Sequence, residues 1–258
     1  MRELAAKTVR CYRLVGRIGD GGGSLTHKKA PGTDQEQKFS EGHPVPDHTA
    51  EMTWVMALLT DAQYGVIRNL KEIGACGHRV VQGGEIFKES CIVGEKELRD
   101  IAALSPLAPL HNPAHIQGLE VVMKLLPHAP SVAVFDTEFH ATMAPEAYMY
   151  PLPHELYEKN RVRRYGAHGT SHRYVAHKAA EFMGRDIKGF NVITCHLGNG
   201  SSITAVKDGL CVDTSMGMTP LAGVMMGTRC GDIDPAIHAY LGRETGMGLE
   251  EIDSMLNR

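Results

Sequence analysis

Apolar positions along this chain recur with two spacings, and the change from one to the other marks out the elements. Met52, Val55, Met56 and Leu59 stand at i, i+3, i+4 and i+7, which predicts a helix ending near Leu59 with Asp47 or Thr49 as its cap. A second helix is expected after Thr60-Asp61, with Tyr64, Ile67 and Leu70 or Lys71 along it and Gly74 closing it. Glu95–Leu104 carries a third. Asn112-Pro113 is a helix start, Asn as N-cap and Pro at the first helical position, with Ile116, Leu119, Val122, Met123 and Leu126 on its buried face. Thr170 or Ser171 opens a helix through Met183, followed by Gly184 as the C′ residue. Asp234-Pro235 starts another. Glu250–Arg258 reads as a last helix in which the chain stops without a cap.

Shorter runs read as strands: Thr8–Val15, Ala75–Val81, Ser131–Phe135, Asn191–Leu197, Ile203–Lys207 and Leu210–Asp213. Residues 19–46, rich in Gly, Ser, Thr, Lys and Pro, read as turns, short strands or a mobile edge. Asp208-Gly209 is a hairpin signal. Helices alternating with β-meander pieces make the class α/β.

Composition adds exclusions. The 258 residues allow about one to two domains and a core that needs no staple. A net charge of −3 lacks the basic excess of a general nucleic-acid or membrane-surface binder. No apolar run approaches the ~18 residues of a membrane span, and Met1–Gly16 has no secretory apolar region. The six cysteines form no Cys-x-x-Cys pair. That spacing points to a reducing cytoplasm, with most of them as small core residues.

The chain has no P-loop, no His-Glu-x-x-His and no Gly-x-Ser-x-Gly. Its candidate chemistry sits at strand ends and turns. Gly198-Asn199-Gly200-Ser201-Ser202 reads as an anion nest with φ > 0 at its glycines, or as an ordinary hairpin turn. His168 and His172 flank a helix start, where they would ligate a metal, donate to an anion or serve the structure. Arg79 and Arg229 suit bidentate capture of carboxylate or phosphate, or surface ion pairs. Asp136 ends an apolar strand as a delivered carboxylate, or as a turn former.

Taken in order, these segments resemble the acetokinase family, of the acetate and sugar kinase/Hsp70/actin superfamily. The matching residues begin with Gly77-His78-Arg79-Val80-Val81, Gly83-Gly84-Glu85, Leu107 to Pro113 and Val134-Phe135-Asp136-Thr137. They continue through Arg164-Tyr165-Gly166, His168 to His172, His196 to Gly200 with Ser202, and Met226 to Arg229 with Gly231-Asp232 and Asp234-Pro235. The resemblance implies a two-domain ribonuclease-H-like (actin-like ATPase) fold, with residues 1–140 as the N-terminal half and 141–258 as the start of the C-terminal half. It implies γ-phosphoryl transfer from ATP to acetate or another short-chain carboxylate, with Mg²⁺, in a cytoplasmic homodimer. Asp136, His168 and Arg229 would be catalytic. Arg79, Val81, Leu110, His111 and Pro220 would bind the acid, and His196, Leu197, Gly198, Asn199 and Gly200 would touch the nucleotide.

The sequence departs from the family in several places. The family's opening phosphate loop, the first strand before it, and a late Gly-rich nucleotide segment are not found here. The expected fold is therefore incomplete in both halves, and no residue of this chain is assigned to magnesium. A non-catalytic fragment or split-enzyme piece is the alternative, and a metal-dependent hydrolase using His168 and His172 a minor one. Gln82 replaces a family His. Ala167 replaces a family Phe, which implies weaker discrimination against propionate or butyrate.

Overall fold

The computed structural model describes residues 11–16, 24–42, 46–109 and 111–258. The expected strand over Thr8–Val15 is present from β1, Cys11–Gly16, and its first residues lie outside the described ones, as does Leu110. The chain divides into two compact units, residues 1–78 with 114–132, and residues 79–113 with 133–258. No described helix is long and apolar enough to cross a membrane.

In the first unit, β1, β2 (Ser24–Lys29) and β3 (Gln37–Gly42) form an antiparallel meander. Leu25 and His27 alternate inward on β2, as a half-buried strand requires. Helix α1 (His48–Leu59) starts where Asp47 accepts the Ala50 N–H at 2.8 Å. Met56 of α1 packs with Val122, Leu126 and Ala129. The helix expected after Thr60-Asp61 does not form. Asp61 Oδ1 takes the N–H groups of both Gln63 and Tyr64 at 2.8 Å, and the Leu59 carbonyl takes those of Val66 and Ile67. With those donors occupied by a side chain and a distant carbonyl, only a single 3₁₀ turn remains, Leu70–Glu72, capped by Asn69.

Strands β4 (Cys76–Val80), β5 (Cys91–Ile92) and β6 (Ser131–Phe135) form a second sheet with β6 in the centre. Helices α2 (Glu95–Ala103) and α3 (Asn112–Leu125) follow the sequence pattern. Asn112, however, is no cap. It is fully buried, and its amide donates to the Gln82 carbonyl at 3.1 Å while its Oδ1 accepts the Gln82 N–H at 3.3 Å. It fastens the loop that leaves β4.

The second unit continues through short helices α4 (Pro145–Tyr148) and α5 (His154–Asn160) to α6 (Gly169–Phe182). Strands β7 (Val192–Leu197), β8 (Ser201–Lys207) and β9 (Leu210–Thr214) form an antiparallel sheet. Asp208 and Gly209 both have positive φ, 53° and 80°, as a type I′ hairpin demands. Phe139, Met143, Ala176, Val206 and Cys211 form a core between α6 and this sheet. Cys211 is the one buried thiol among the described free cysteines, so the expectation that most cysteines are core residues fails. Helices α7 (Ala236–Thr245) and α8 (Leu249–Leu256) close the described chain. The last helix ends at Leu256 and does not run on to Arg258.

Candidate active site

The end of β6 delivers Asp136, and its neighbours fix it. The Asp136 N–H donates to the Val80 carbonyl at 2.9 Å, and the Asp136 carbonyl accepts the Gly169 N–H at 2.9 Å. A side chain at Gly169 would collide with that carbonyl, so glycine is what lets α6 start against the strand end. The Asp136 carboxylate is buried and takes a bidentate fork from Arg79, Nε to Oδ1 at 2.9 Å and Nη2 to Oδ2 at 2.7 Å. The carboxylate holds the Arg79 guanidinium above its ordinary pKa. Thr137 accepts the Gly83 N–H at 3.1 Å, and buried Glu138 accepts the Phe135 N–H at 3.2 Å and the Ser90 hydroxyl.

His168 stands at the N-cap of α6 with φ 60° and ψ 20°, the left-handed region. Such a conformation costs on the order of 1–3 kcal/mol and persists where surroundings enforce it. Its ring stacks on His196 at 4.1 Å, and its Nδ1 lies 2.8 Å from Ser202 Oγ. Burial first, then the His196 ring, pushes the His168 pKa down to about 4. His172 lies one turn on, with Nδ1 2.7 Å from Thr194 Oγ1 and Nε2 2.7 Å from Ser202 Oγ. Burial pushes its pKa down to about 3. With both His172 nitrogens committed to hydroxyls, His168 and His172 do not form a metal-binding pair in this arrangement.

The turn after β7 departs from expectation. Neither Gly198 nor Gly200 has a positive φ, so the anticipated nest geometry is absent there. Gly200 is needed for space instead. A Cβ on it would sit 2.8 Å from Arg229 Nη2 and 3.4 Å from the His168 ring. Arg229 donates through Nη1 to the Pro220 carbonyl at 2.7 Å. Its loop is tied by Gly227 N–H to the Asn199 carbonyl at 3.0 Å and by Cys230 N–H to the Leu256 carbonyl at 2.9 Å. Gly200, His168, His196 and Arg229 thus converge on one spot. Asp136, Arg79 and Arg229 all act electrostatically on His168 and on His111, whose pKa is lowered by desolvation and by Arg229 and Arg79.

A cleft of about 350 Å³ opens beside this cluster. Val81, His111, Pro220 and Arg229 line it together with Gln82, Thr137 and Ala167, and Asp253 of α8 and Asn257 just after it form part of its wall. Arg79, Asp136 and His168 are not in its lining, although Thr137 and Ala167 adjoin them in sequence. Sequence reasoning missed Thr194, and it read Ser202 as a donor of the turn rather than as the partner of His168 and His172. It also missed the α8 wall, since no local pattern announces where a helix packs.

Residues 5–258 match the acetokinase family. The chain belongs to that family. The acetate kinase of Oleidesulfovibrio alaskensis is 54% identical over 256 residues, 99% of this chain and 64% of that protein. That of Thermotoga maritima is 49% identical over 99% of this chain and 62% of its own length. Among solved structures, Porphyromonas gingivalis acetate kinase superposes with a TM-score of 0.91 at 40% identity, over 97% of this chain and 62% of that one. A Francisella tularensis propionate kinase gives 0.88 at 41% identity, over 96% and 62%. This acetokinase-family chain therefore spans less than two thirds of the length of these relatives. Its α/β fold is the actin-like ATPase fold that the resemblance implied.

Proposed function

We propose that this chain carries the phosphoryl-transfer site of an acetate kinase, moving the γ-phosphoryl of ATP to acetate or another short-chain carboxylate. The reading rests on one observation, the convergence of Arg229 and His168 over the side-chain-free Gly200, next to the Arg79–Asp136 pair. An oxygen of the acid attacks the γ-phosphorus in line as its bond to ADP breaks, so two anions must approach each other. Arg79 is mostly exposed and keeps N–H groups beyond its fork on Asp136, which suits it to hold the acid's carboxylate. Val81 and Pro220, with Leu110, would wall the methyl group. Arg229 and His168 would take up charge on the transferring group, and His196 to Gly200 would contact the nucleotide phosphates.

The donor set of arginines and imidazoles around Gly200 fits a phosphate chain. Asp136, the carboxylate of this cluster, is already engaged by Arg79, so no described residue is assigned to magnesium, which the nucleotide phosphates would then hold in large part. Within this proposal, residues 1–140 and 141–258 correspond to the two family halves, the protein works in the cytoplasm, and two copies associate. A second reading, a non-catalytic fragment or one piece of a split enzyme, draws on the 62–64% span of the relatives. A coupled assay of acetyl-phosphate-dependent ATP formation decides between them. Turnover that falls to background in Asp136→Asn supports the enzyme. No turnover, with no shift of the melting point by ATP and Mg²⁺, supports the fragment.

A further inference from the structure

Thr194, His172, Ser202 and His168 form an unbroken hydrogen-bonded chain from the inside of the β7–β8 sheet to the site. The first three are buried, so their polar atoms must find partners within the protein. A neutral imidazole has one donor and one acceptor nitrogen, and a hydroxyl has one proton to give. In such a chain the polarity at one end dictates the polarity at the other. The inner end faces a group that only accepts: the Thr204 carbonyl lies 3.5 Å from Thr194 Oγ1, a weak contact and the longest link of the series, and it orients the Thr194 proton away from His172. Thr194 Oγ1 then accepts from His172 Nδ1–H, which leaves His172 Nε2 as an acceptor. Ser202 donates to that nitrogen, and its oxygen accepts from His168 Nδ1–H.

We propose that this relay holds neutral His168 with its proton on Nδ1 and presents a bare Nε2 to the site, so that an anionic phosphoryl group engages His168 only together with a proton taken up from solvent. Thr194, His172 and Ser202 are positioning residues. The anion part rests on the reading of His168 given above, whereas the tautomer does not. His168 Nε2 makes no hydrogen bond among the described residues and lies beside Gly200. The groups facing the ring are His196, stacked on it, then Asp136, Arg79 and Arg229, with His172 behind Ser202. The two arginines disfavour an imidazolium and Asp136 favours it. An arriving anion adds to the favourable side. The proton passes from buffer to Nε2 on binding and returns on release, and no other bond changes in that step.

The test is nitrogen NMR of the chain labelled with ¹⁵N-histidine, near neutral pH. The expected result is an Nδ1–H tautomer for both His172 and His168, and loss of that preference at His168 in Thr194→Val or, as a second cut, Ser202→Ala. Inorganic sulfate, which does not titrate near neutrality, is the anion probe. Its binding is expected to protonate both His168 nitrogens and to take up about one proton per sulfate, read by calorimetry in buffers of different ionisation enthalpy. An Nε2–H tautomer in the free chain, or sulfate bound with a neutral His168 ring, would overturn the proposal. An Nδ1–H tautomer without sulfate binding would support the relay and count instead against His168 as a phosphoryl contact.

Discussion

Arg79 and Asp136 form a pair of opposite exposure: the carboxylate side chain is 2% exposed and the guanidinium 63%. Removing one partner is therefore not equivalent to removing the other. Arg79→Met leaves an anion buried without its counter-charge, and a loss of about 2 kcal/mol or more is expected. Asp136→Asn leaves a cation in water and should cost under about 1 kcal/mol. Urea unfolding midpoints of the two variants test the order, and equal losses would show that the pair is not the feature that matters.

Acid should weaken the fold through three histidines. Burial holds His140, His168 and His172 down from 6.5 to about 4, about 4 and about 3. Below the unfolded value the unfolded chain binds more protons than the folded one, so stability rises with pH across this window and falls as pH drops from about 6.5 toward 4. The unfolding free energy from urea titrations should fall across that range with a slope of about three protons or more, since His78 and His111 are also held down by burial. His140 is fully buried, and His140→Gln should flatten the slope by about one proton.

Gly200→Ala should damage the site while sparing the fold. The new methyl group meets Arg229 Nη2 at 2.8 Å, and the backbone there needs no glycine conformation. A loss of about 10²–10³ in turnover is expected, the usual result of moving one preorganised donor. The melting point should hardly move, and a large drop would place the effect in folding instead.

Ala167 is buried and lines the cleft. Filling that space with Ala167→Phe should raise the preference for acetate over propionate by about 10-fold or more, within the ~1–3 kcal/mol that one methylene commands. The ratio of kcat/KM for the two acids is the measurement, and an unchanged ratio would remove Ala167 from the acyl pocket.

Legibility in the sequence followed how local the determining interaction is. Asp47 before α1 and Asp208-Gly209 between β8 and β9 act on the next few residues, so the elements they govern appear where pattern places them. The segment after Thr60 misleads because its apolar spacing is helical while Asp61 and Leu59 capture the amides a helix would use. The local pattern misreads what Asn112 and Gly200 do for the fold, a cap at the first and a positive φ at the second. The first fastens Gln82, and the second makes room for Arg229 and His168, both contacts with residues distant in sequence. The family resemblance brought Asp136, His168 and Arg229 together before any geometry, yet the relay behind His168 has no linear signature. Thr194 is an ordinary strand residue until β7 and β8 pair.

The bond from Gly169 N–H to the Asp136 carbonyl joins the first residue of α6 to the end of β6. The amide of Gly169 can exchange its hydrogen only when that junction opens, and any opening that frees it also releases the backbone that aims the carboxylate. Local unfolding at this point and loss of the site are one event. The carboxylate's aim is thus as durable as the packing of α6 against the β7–β9 sheet.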